Sequence, residues 1–139
     1  IRAMSVDHLV QLHAAAAKAQ VMKEAMGALV VFDGIVRNHD HGSAVRGLSY
    51  SAHPQAKEYI ARVVQSVADE LEGVRLWAVH RVGPIAIGES ALTVLAAAAH
   101  RGRAFEACEA VADRVKAQVP IWKEQELTDG STEWVGIDT

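Results

Sequence analysis

The apolar run at residues 91–99 constrains the fold of this chain more than any other segment. Its residues are apolar except for Thr93, and it is far shorter than the roughly 20 residues that a membrane-spanning helix needs. A short apolar run that ends in a polar segment predicts a buried strand. No basic and then apolar leader opens the chain. We therefore expect a core strand here and no membrane partner.

The remaining segments predict alternating helices and strands. Ser5 is placed to cap a helix over residues 6–26, which Gly27 would end. The first half should continue with a buried strand at 28–37, a loop at 38–44, and a strand at 45–51 that pairs with the strand before it as a hairpin. The clearest amphipathic helix is expected at 54–71, followed by a strand at 74–82 and a turn at 83–84. After the apolar run come a helix at 103–119, with Phe105 on its apolar face, and strands at 121–125 and 133–137 around Asp129-Gly130. This order predicts a single α+β domain over residues 1–139, with a mainly antiparallel sheet and helices over one sheet face.

Composition excludes several classes of partner. Hydrophobic residues make up 50% of the 139 residues, which is enough for one domain to bury a core. The net charge of −3 provides no positive field for a nucleic-acid backbone. Cys108 is the single cysteine, so an internal disulfide is excluded and a reducing compartment is indicated. We expect a cytoplasmic protein with no nucleic-acid partner.

The clearest chemical signal is His100-Arg101-Gly102-Arg103, between the predicted buried strand and a helix. Free amides at a helix start, the positive end of the helix dipole and guanidinium groups together favour an anion site. The alternative is a polar connection whose arginines face water, and this tetrapeptide alone supports the two interpretations equally.

Three more cations are candidates for the same chemistry. Lys116 and Lys123 lie on either side of Pro120, and a turn there could direct both side chains inward. Lysines near an anion site can stabilise developing negative charge or exchange protons. Arg37, after a strand, could complete a cluster with Arg101. For each of these residues the alternative is a solvated surface cation.

Other chemistries have weaker support. His39, Asp40, His41 and His53 are possible metal ligands, but no regular ligand spacing links them, so we expect no metal site. Cys108 lies on the apolar face of its predicted helix, which favours a core residue over a sulfur-carrying nucleophile. The sequence contains neither a glycine-rich nucleotide loop nor a glycine-flanked nucleophilic serine.

Five sequence blocks together resemble the large, catalytic subunit family of molybdopterin synthases over roughly residues 27–136. The blocks are Phe32-Asp33-Gly34-Ile35-Val36-Arg37-Asn38-His39, His80-Arg81-Val82-Gly83, Ala99-His100-Arg101, Ala104-Phe105-Glu106-Ala107, and Lys116 followed by Pro120-Ile121-Trp122-Lys123-Glu124. The resemblance implies an α/β hammerhead-type fold and a homodimer within a heterotetramer. It also implies a small ubiquitin-like partner whose C-terminal Gly-Gly carries a thiocarboxylate, and conversion of cyclic pyranopterin monophosphate to the molybdopterin dithiolene.

The resemblance also implies roles for individual residues. Lys116 would lie nearest the thiocarboxylate and assist acyl and proton transfer, with Lys123 supporting it in the same pocket. Arg37, His100 and Arg101 would hold the phosphate and the pterin of the substrate. No cofactor and no metal are implied.

The chain departs from the family pattern in places. Tyr50-Ser51-Ala52-His53 stands where Tyr-Glu-x-Tyr is usual, and Ala99 stands where serine is frequent. These departures affect the expected substrate and dimer contacts and leave the cationic positions intact.

Three other interpretations remain open from the sequence. One is a module of the same fold that binds a ubiquitin-like protein without transferring sulfur. Another is an unrelated enzyme for phosphate esters, which would use His100 as acid or base and the arginines as a clamp. The third is a structural subunit without a ligand.

Overall fold

The computed structural model describes residues 2–4, 10–40 and 43–135. The elements in chain order are β1 (Arg2–Met4), α1 (Val10–Val21), β2 (Ala28–Ile35), β3 (His39–Asp40), β4 (Ser43–Ala52), α2 (Ala56–Glu70), β5 (Arg75–His80), β6 (Gly83–Ile85), β7 (Ser90–Ala98), α3 (Arg101–Gln118), β8 (Ile121–Leu127) and β9 (Thr132–Val135). Helices with mainly antiparallel strands confirm the predicted α+β class. No helix in the described part of the chain is long and apolar enough to cross a membrane.

The strand predicted from the run at 91–99 is β7, and it lies inside the first sheet. This sheet has the order β1-β5-β7-β2, and β7 pairs antiparallel with both of its neighbours. All of β7 except Leu92 is buried. An interior strand satisfies its backbone groups through both ladders, so a long apolar run is stable there. The prediction of a buried strand is confirmed.

Helices cover both faces of the first sheet. Val94 packs in one cluster with Ile60 of α2 and Val111 of α3. Leu95, the next residue, packs in a second cluster with Val21 of α1. Successive residues of a strand point to opposite faces, so α1 lies across the sheet from α2 and α3. The expectation that helices cover only one face was wrong, because the sequence of α1 did not reveal which surface it packs on.

A second sheet is built around β4 and β8. Its order is β3-β4-β8-β9, and β6 also pairs with β4. The predicted hairpin between the strands at 28–37 and 45–51 was wrong, because β2 pairs with β7 whereas β4 pairs with β8. An alternating pattern indicates which face of a strand is buried. It does not indicate which other strand pairs with that strand by hydrogen bonds. Gly83-Pro84, predicted as a turn, instead begins β6 and lies opposite Tyr50 and Ser49.

The first helix is shorter than predicted. It ends at Val21 rather than at Met26, and Ser5 lies outside the described residues. Arg75 of β5 donates hydrogen bonds to the carbonyls of Val21 (2.9 Å) and Gln20 (2.8 Å). These bonds satisfy acceptors that the end of a helix leaves without partners, so the helix ends early against the first sheet.

Gly27 therefore does not end a helix, and its role is a different one. It lies just before β2, and its N–H donates to the carbonyl of Ala99 at 3.2 Å. A Cβ at this position would lie 2.8 Å from that oxygen. Glycine is needed here because the two chain segments approach closely.

Two predictions of burial were wrong. β2 is an edge strand of the first sheet in the described structure, and Val31, Phe32 and Ile35 are 41%, 39% and 49% exposed. Phe105, placed by periodicity on the buried face of α3, is 59% exposed. The buried face of α3 consists of Ala104, Ala107, Cys108, Val111 and Val115. Helical spacing defines a face within about one position, so a residue at its margin can point to solvent.

The helix predicted most strongly, α2, was predicted correctly. Its buried residues are Ala56, Ile60, Val63, Val64 and Val67. Arg114 of α3 donates to Ser66 Oγ at 2.8 Å and pairs with Glu70, and these contacts join α3 to α2. The two strands predicted around Asp129-Gly130 are also present as β8 and β9, which pair as a hairpin with Gly130 in its turn at a φ of 89°.

Candidate active site

An open cavity of about 560 Å³ lies where the two sheets meet the C-terminal half of α3. The end of β2, the inner sides of β4 and β8, the end of β5 and the last turns of α3 form its walls. Its charged and polar lining residues are Arg37, Tyr50, His80, Asp113, Lys116, Lys123 and Gln125. This volume lies within the range of roughly 300–1,000 Å³ that is typical of small-molecule sites.

Two lysines reach the cavity from either side of Pro120. Lys116 lies in the last turn of α3, and Lys123 lies on β8 opposite Tyr50 of β4. Val119 leaves the helix with extended backbone, and the proline ring lacks the N–H that a further helical turn would use. The chain therefore reverses into β8, and both lysines line the same cavity.

Arg37 reaches the cavity from the first sheet. It follows Val36, whose N–H donates to Glu89 O at 3.0 Å and whose carbonyl accepts from Gly88 N at 2.8 Å. These two bonds fix the chain just beyond β2, so the position of Arg37 is defined by backbone contacts. The first sheet thus adds a third cation to the wall that holds the two lysines.

His100 and Arg101 lie elsewhere in the single chain. His100 is the N-cap residue of α3, and Arg101 begins the helix, whereas Lys116 lies near the opposite end. At about 1.5 Å of rise per residue, Arg101 and Lys116 are about 22 Å apart along the helix axis. Neither His100 nor Arg101 lines the cavity. The expected cluster of Arg37 with Arg101 is therefore not formed within one chain, because the helix between the sites is too long.

His80 begins one of the blocks that carry the resemblance, but no local sequence signal indicates a chemical role for it. His80 is the last residue of β5 and is 7% exposed. Desolvation by burial lowers the pKa of His80 from 6.5 to about 4, opposed in part by the hydrogen bond to the carbonyl of Arg81. Its ring packs edge to face against Tyr50, with centroids 4.6 Å apart. Only the packing of β5 under α3 and β4 reveals this buried imidazole, so local sequence signals could not identify it.

Cys108 does not contribute to the cavity. It is 3% exposed, and its Sγ lies 3.9 Å from the carbonyl oxygen of Val94. Burial raises the pKa of the Cys108 thiol to about 11, so the reactive thiolate is disfavoured. The prediction that Cys108 is a core residue is confirmed.

Among the described residues, no group of three or more His, Cys, Asp or Glu side chains could hold a metal ion. His53 Nδ1 accepts a hydrogen bond from the N–H of Gln55 at 3.1 Å. His41 lies outside the described residues.

The structure is that of a small two-sheet α+β domain whose cation-lined cavity, beside a helix end, suits an anionic ligand. The sequence profile described as the MoaE protein matches residues 7–118. This match spans most of the chain, and the chain belongs to the MoaE family.

Individual relatives agree with this assignment. The molybdopterin synthase catalytic subunit 1 of Mycobacterium tuberculosis is 38% identical over 111 residues, which cover 79% of this chain and 75% of the relative. The molybdopterin synthase catalytic subunit of Bacillus subtilis is 35% identical over 118 residues, covering 84% of this chain and 74% of the relative. The crystal structure of molybdopterin synthase from Staphylococcus aureus superposes with a TM-score of 0.87 at 30% identity, and 96% of each chain is covered.

Proposed function

We propose that this chain is the catalytic subunit of a molybdopterin synthase. It transfers sulfur from the thiocarboxylated C-terminus of a small ubiquitin-like subunit to cyclic pyranopterin monophosphate, forming the dithiolene of molybdopterin. One observation carries the proposal: a member of the MoaE family brings Lys116, Lys123 and Arg37 to a single cavity. The single domain extends over residues 1–139 in this proposal, and the protein acts in the cytoplasm, where its lone cysteine stays reduced.

The cations of the cavity suit the chemistry of sulfur transfer. The thiocarboxylate sulfur forms a bond to a substrate carbon as a carbon–oxygen bond of that carbon breaks, and the oxygen leaves with the phosphate when the cyclic ester opens, or as water. Water then cleaves the bond between the acyl carbon and sulfur, which leaves a carboxylate on the partner and a thiolate on the substrate. Opening of the cyclic phosphate adds a further anionic oxygen. Lys116 is the residue nearest the thiocarboxylate in this proposal, and Lys123 supports it. Cations held in place before reaction stabilise such charges without reorganisation.

The partner must present its tail in an extended form. β2 is an edge strand of the first sheet in the described structure, and it borders the cavity through Phe32, Gly34 and Ile35. An extended tail can add to such an edge by backbone hydrogen bonds, which would hold its terminal sulfur near the substrate. The relatives' name, catalytic subunit, also implies an enzyme with at least one further subunit.

A second copy of the chain completes the proposed site. His100 and Arg101 lie about 22 Å along α3 from Lys116. The resemblance nevertheless assigns all three residues to one site. A homodimer resolves this separation if each copy contributes the start of its α3 to the cavity of the other. Arg37, His100 and Arg101 would then hold the phosphate and the pterin together.

Mixed dimers test this arrangement. Lys116→Ala and Arg101→Ala are each expected to be inactive alone. A mixed dimer would contain one site with both substitutions and one intact site, so a random mixture should recover about a quarter of wild-type activity. Recovery requires subunit exchange, which mass spectrometry of the mixture can verify. A verified mixed dimer without activity would contradict a shared site.

The reaction itself is tested by reconstitution. The purified protein is mixed with a thiocarboxylated small subunit and cyclic pyranopterin monophosphate, and the dithiolene product is measured. The control uses the same small subunit with an ordinary carboxylate terminus, and complex formation is measured for both. Product from the thiocarboxylate alone supports the proposal. A stable complex that forms no product would instead support the binding module. The phosphate-ester alternative is disfavoured because the matched family and the relatives are those of molybdopterin synthase catalytic subunits.

A further inference from the structure

The proposed sulfur transfer assigns no role to His80, although its side chain lines the cavity. His80 is 7% exposed, and its Nδ1 lies 2.6 Å from the carbonyl oxygen of Arg81. A carbonyl oxygen only accepts hydrogen bonds, so Nδ1 must carry a proton and donate. In the neutral ring, Nε2 then has a lone pair and no proton. Any hydrogen bond from this ring to a ligand in the cavity therefore uses Nε2 as an acceptor.

The protein fixes the position of the His80 ring as well as its tautomer. Tyr50 packs against it at an interplanar angle of 77°, with centroids 4.6 Å apart. The backbone of His80 lies opposite Leu92 in the first sheet. A ring held by a backbone hydrogen bond, an aromatic contact and a strand ladder loses little freedom when a ligand binds, so its acceptor is preorganised.

The other cavity groups make this acceptor distinctive. Lys116, Lys123 and Arg37 donate hydrogen bonds and do not accept them. Of the remaining groups, Asp113 is exposed, and Tyr50 and Gln125 already have partners in the protein. Burial lowers the pKa of His80 to about 4, so the ring is uncharged at neutral pH. The cavity thus combines cations with a buried neutral acceptor.

We propose that Nε2 of His80 accepts a hydrogen bond from an N–H donor of the pterin ring. His80 thereby orients the substrate and contributes to its specificity. This inference rests on the proposed function and adds the orientation of the substrate. A phosphate offers acceptor oxygens, which the three cations bind and a lone pair repels. A pterin carries ring N–H and amino donors, which the lone pair binds. The phosphate therefore faces the cations, and the pterin faces the end of β5.

Two substitutions distinguish the hydrogen-bonding roles of the two ring nitrogens. His80→Asn keeps a donor near Nδ1 for the carbonyl of Arg81 and removes the acceptor at Nε2. His80→Gln places an amide oxygen near the position of Nε2. Binding of cyclic pyranopterin monophosphate to the protein is measured by titration calorimetry, with inorganic phosphate as the second probe. Circular dichroism of each variant checks folding.

Asn at this position should weaken pterin binding about tenfold, as expected for one lost hydrogen bond. Gln should restore most of that affinity, and phosphate binding should stay unchanged in both variants. In turnover, the Asn variant should raise KM more than it lowers kcat. Wild-type affinity for the pterin in a folded Asn variant would overturn the inference. An equal loss of affinity for the pterin and for phosphate in both variants would also overturn it. Binding needs no sulfur donor, so a wild type that binds pterin but transfers no sulfur contradicts the proposed function alone.

Discussion

Acidification should destabilise this protein in part through His80. Burial lowers the folded-state pKa of His80 to about 4, whereas its ordinary value is 6.5. Between these values the unfolded chain binds a proton at His80 and the folded chain does not, so stability falls as pH decreases. Well above pH 6.5 both states are neutral, and His80 then adds little pH dependence. The full difference between the two pKa values corresponds to about 3 kcal/mol in the free energy of unfolding. About 2 kcal/mol of this stability is lost between pH 7.5 and pH 5.

Urea unfolding of the wild type and of His80→Asn at these two pH values measures this loss. Other titrating groups contribute similarly to both proteins, so the difference between the two pH dependences isolates His80. The wild type should lose about 2 kcal/mol more than the variant between pH 7.5 and pH 5. Protein concentration is held constant because assembly shifts apparent stability. Equal losses in the two proteins would refute the reasoning that His80 is buried in its neutral form.

Three further predictions concern Gly27 and Cys108, which lie outside the cavity. Gly27→Ala should lower the free energy of unfolding by about 1–3 kcal/mol, because its Cβ would lie 2.8 Å from the carbonyl of Ala99. Gly47→Ala, where an added Cβ meets nothing within 4 Å, is the control, and equal effects in urea unfolding would contradict the close approach. Cys108 should react with a thiol reagent at pH 8 only after unfolding, since burial raises its pKa to about 11. Rapid labelling of the native protein would show that the thiol is not buried. Cys108→Ala should retain sulfur transfer, and its inactivity despite normal folding would contradict a purely structural role.

Local patterns predicted the elements that carry strong periodic or apolar signals. The run that became β7, the amphipathic face of α2 and the stop at Pro120 each depend on residues close together in sequence. The pairing of β2 with β7 and the packing of α1 on the far sheet face depend on contacts between distant segments. Period-two and helical patterns do not contain that information, so these predictions failed.

The candidate site also contains features that depend on nearby residues and features that depend on contacts between distant segments. Lys116 and Lys123 were expected to converge because a single proline turn separates them, and they line one cavity. Arg101 was expected beside Arg37 from its place after a strand, but the length of α3 separates it from the cavity within one chain. His80 was not singled out because its burial and neutral state arise from β4, β5 and α3 packing together.

The role of Lys116 is the central claim, and single-turnover sulfur transfer tests it most directly. Lys116→Ala is compared with Lys18→Ala, which removes an exposed lysine from the last turn of α1 outside the cavity. Both variants should unfold within about 0.5 kcal/mol of the wild type, because exposed lysines contribute little to stability. Lys116→Ala should slow dithiolene formation about 100-fold or more while still binding the small subunit, and Lys18→Ala should match the wild type. Wild-type rates from a folded, partner-bound Lys116→Ala protein would contradict the account.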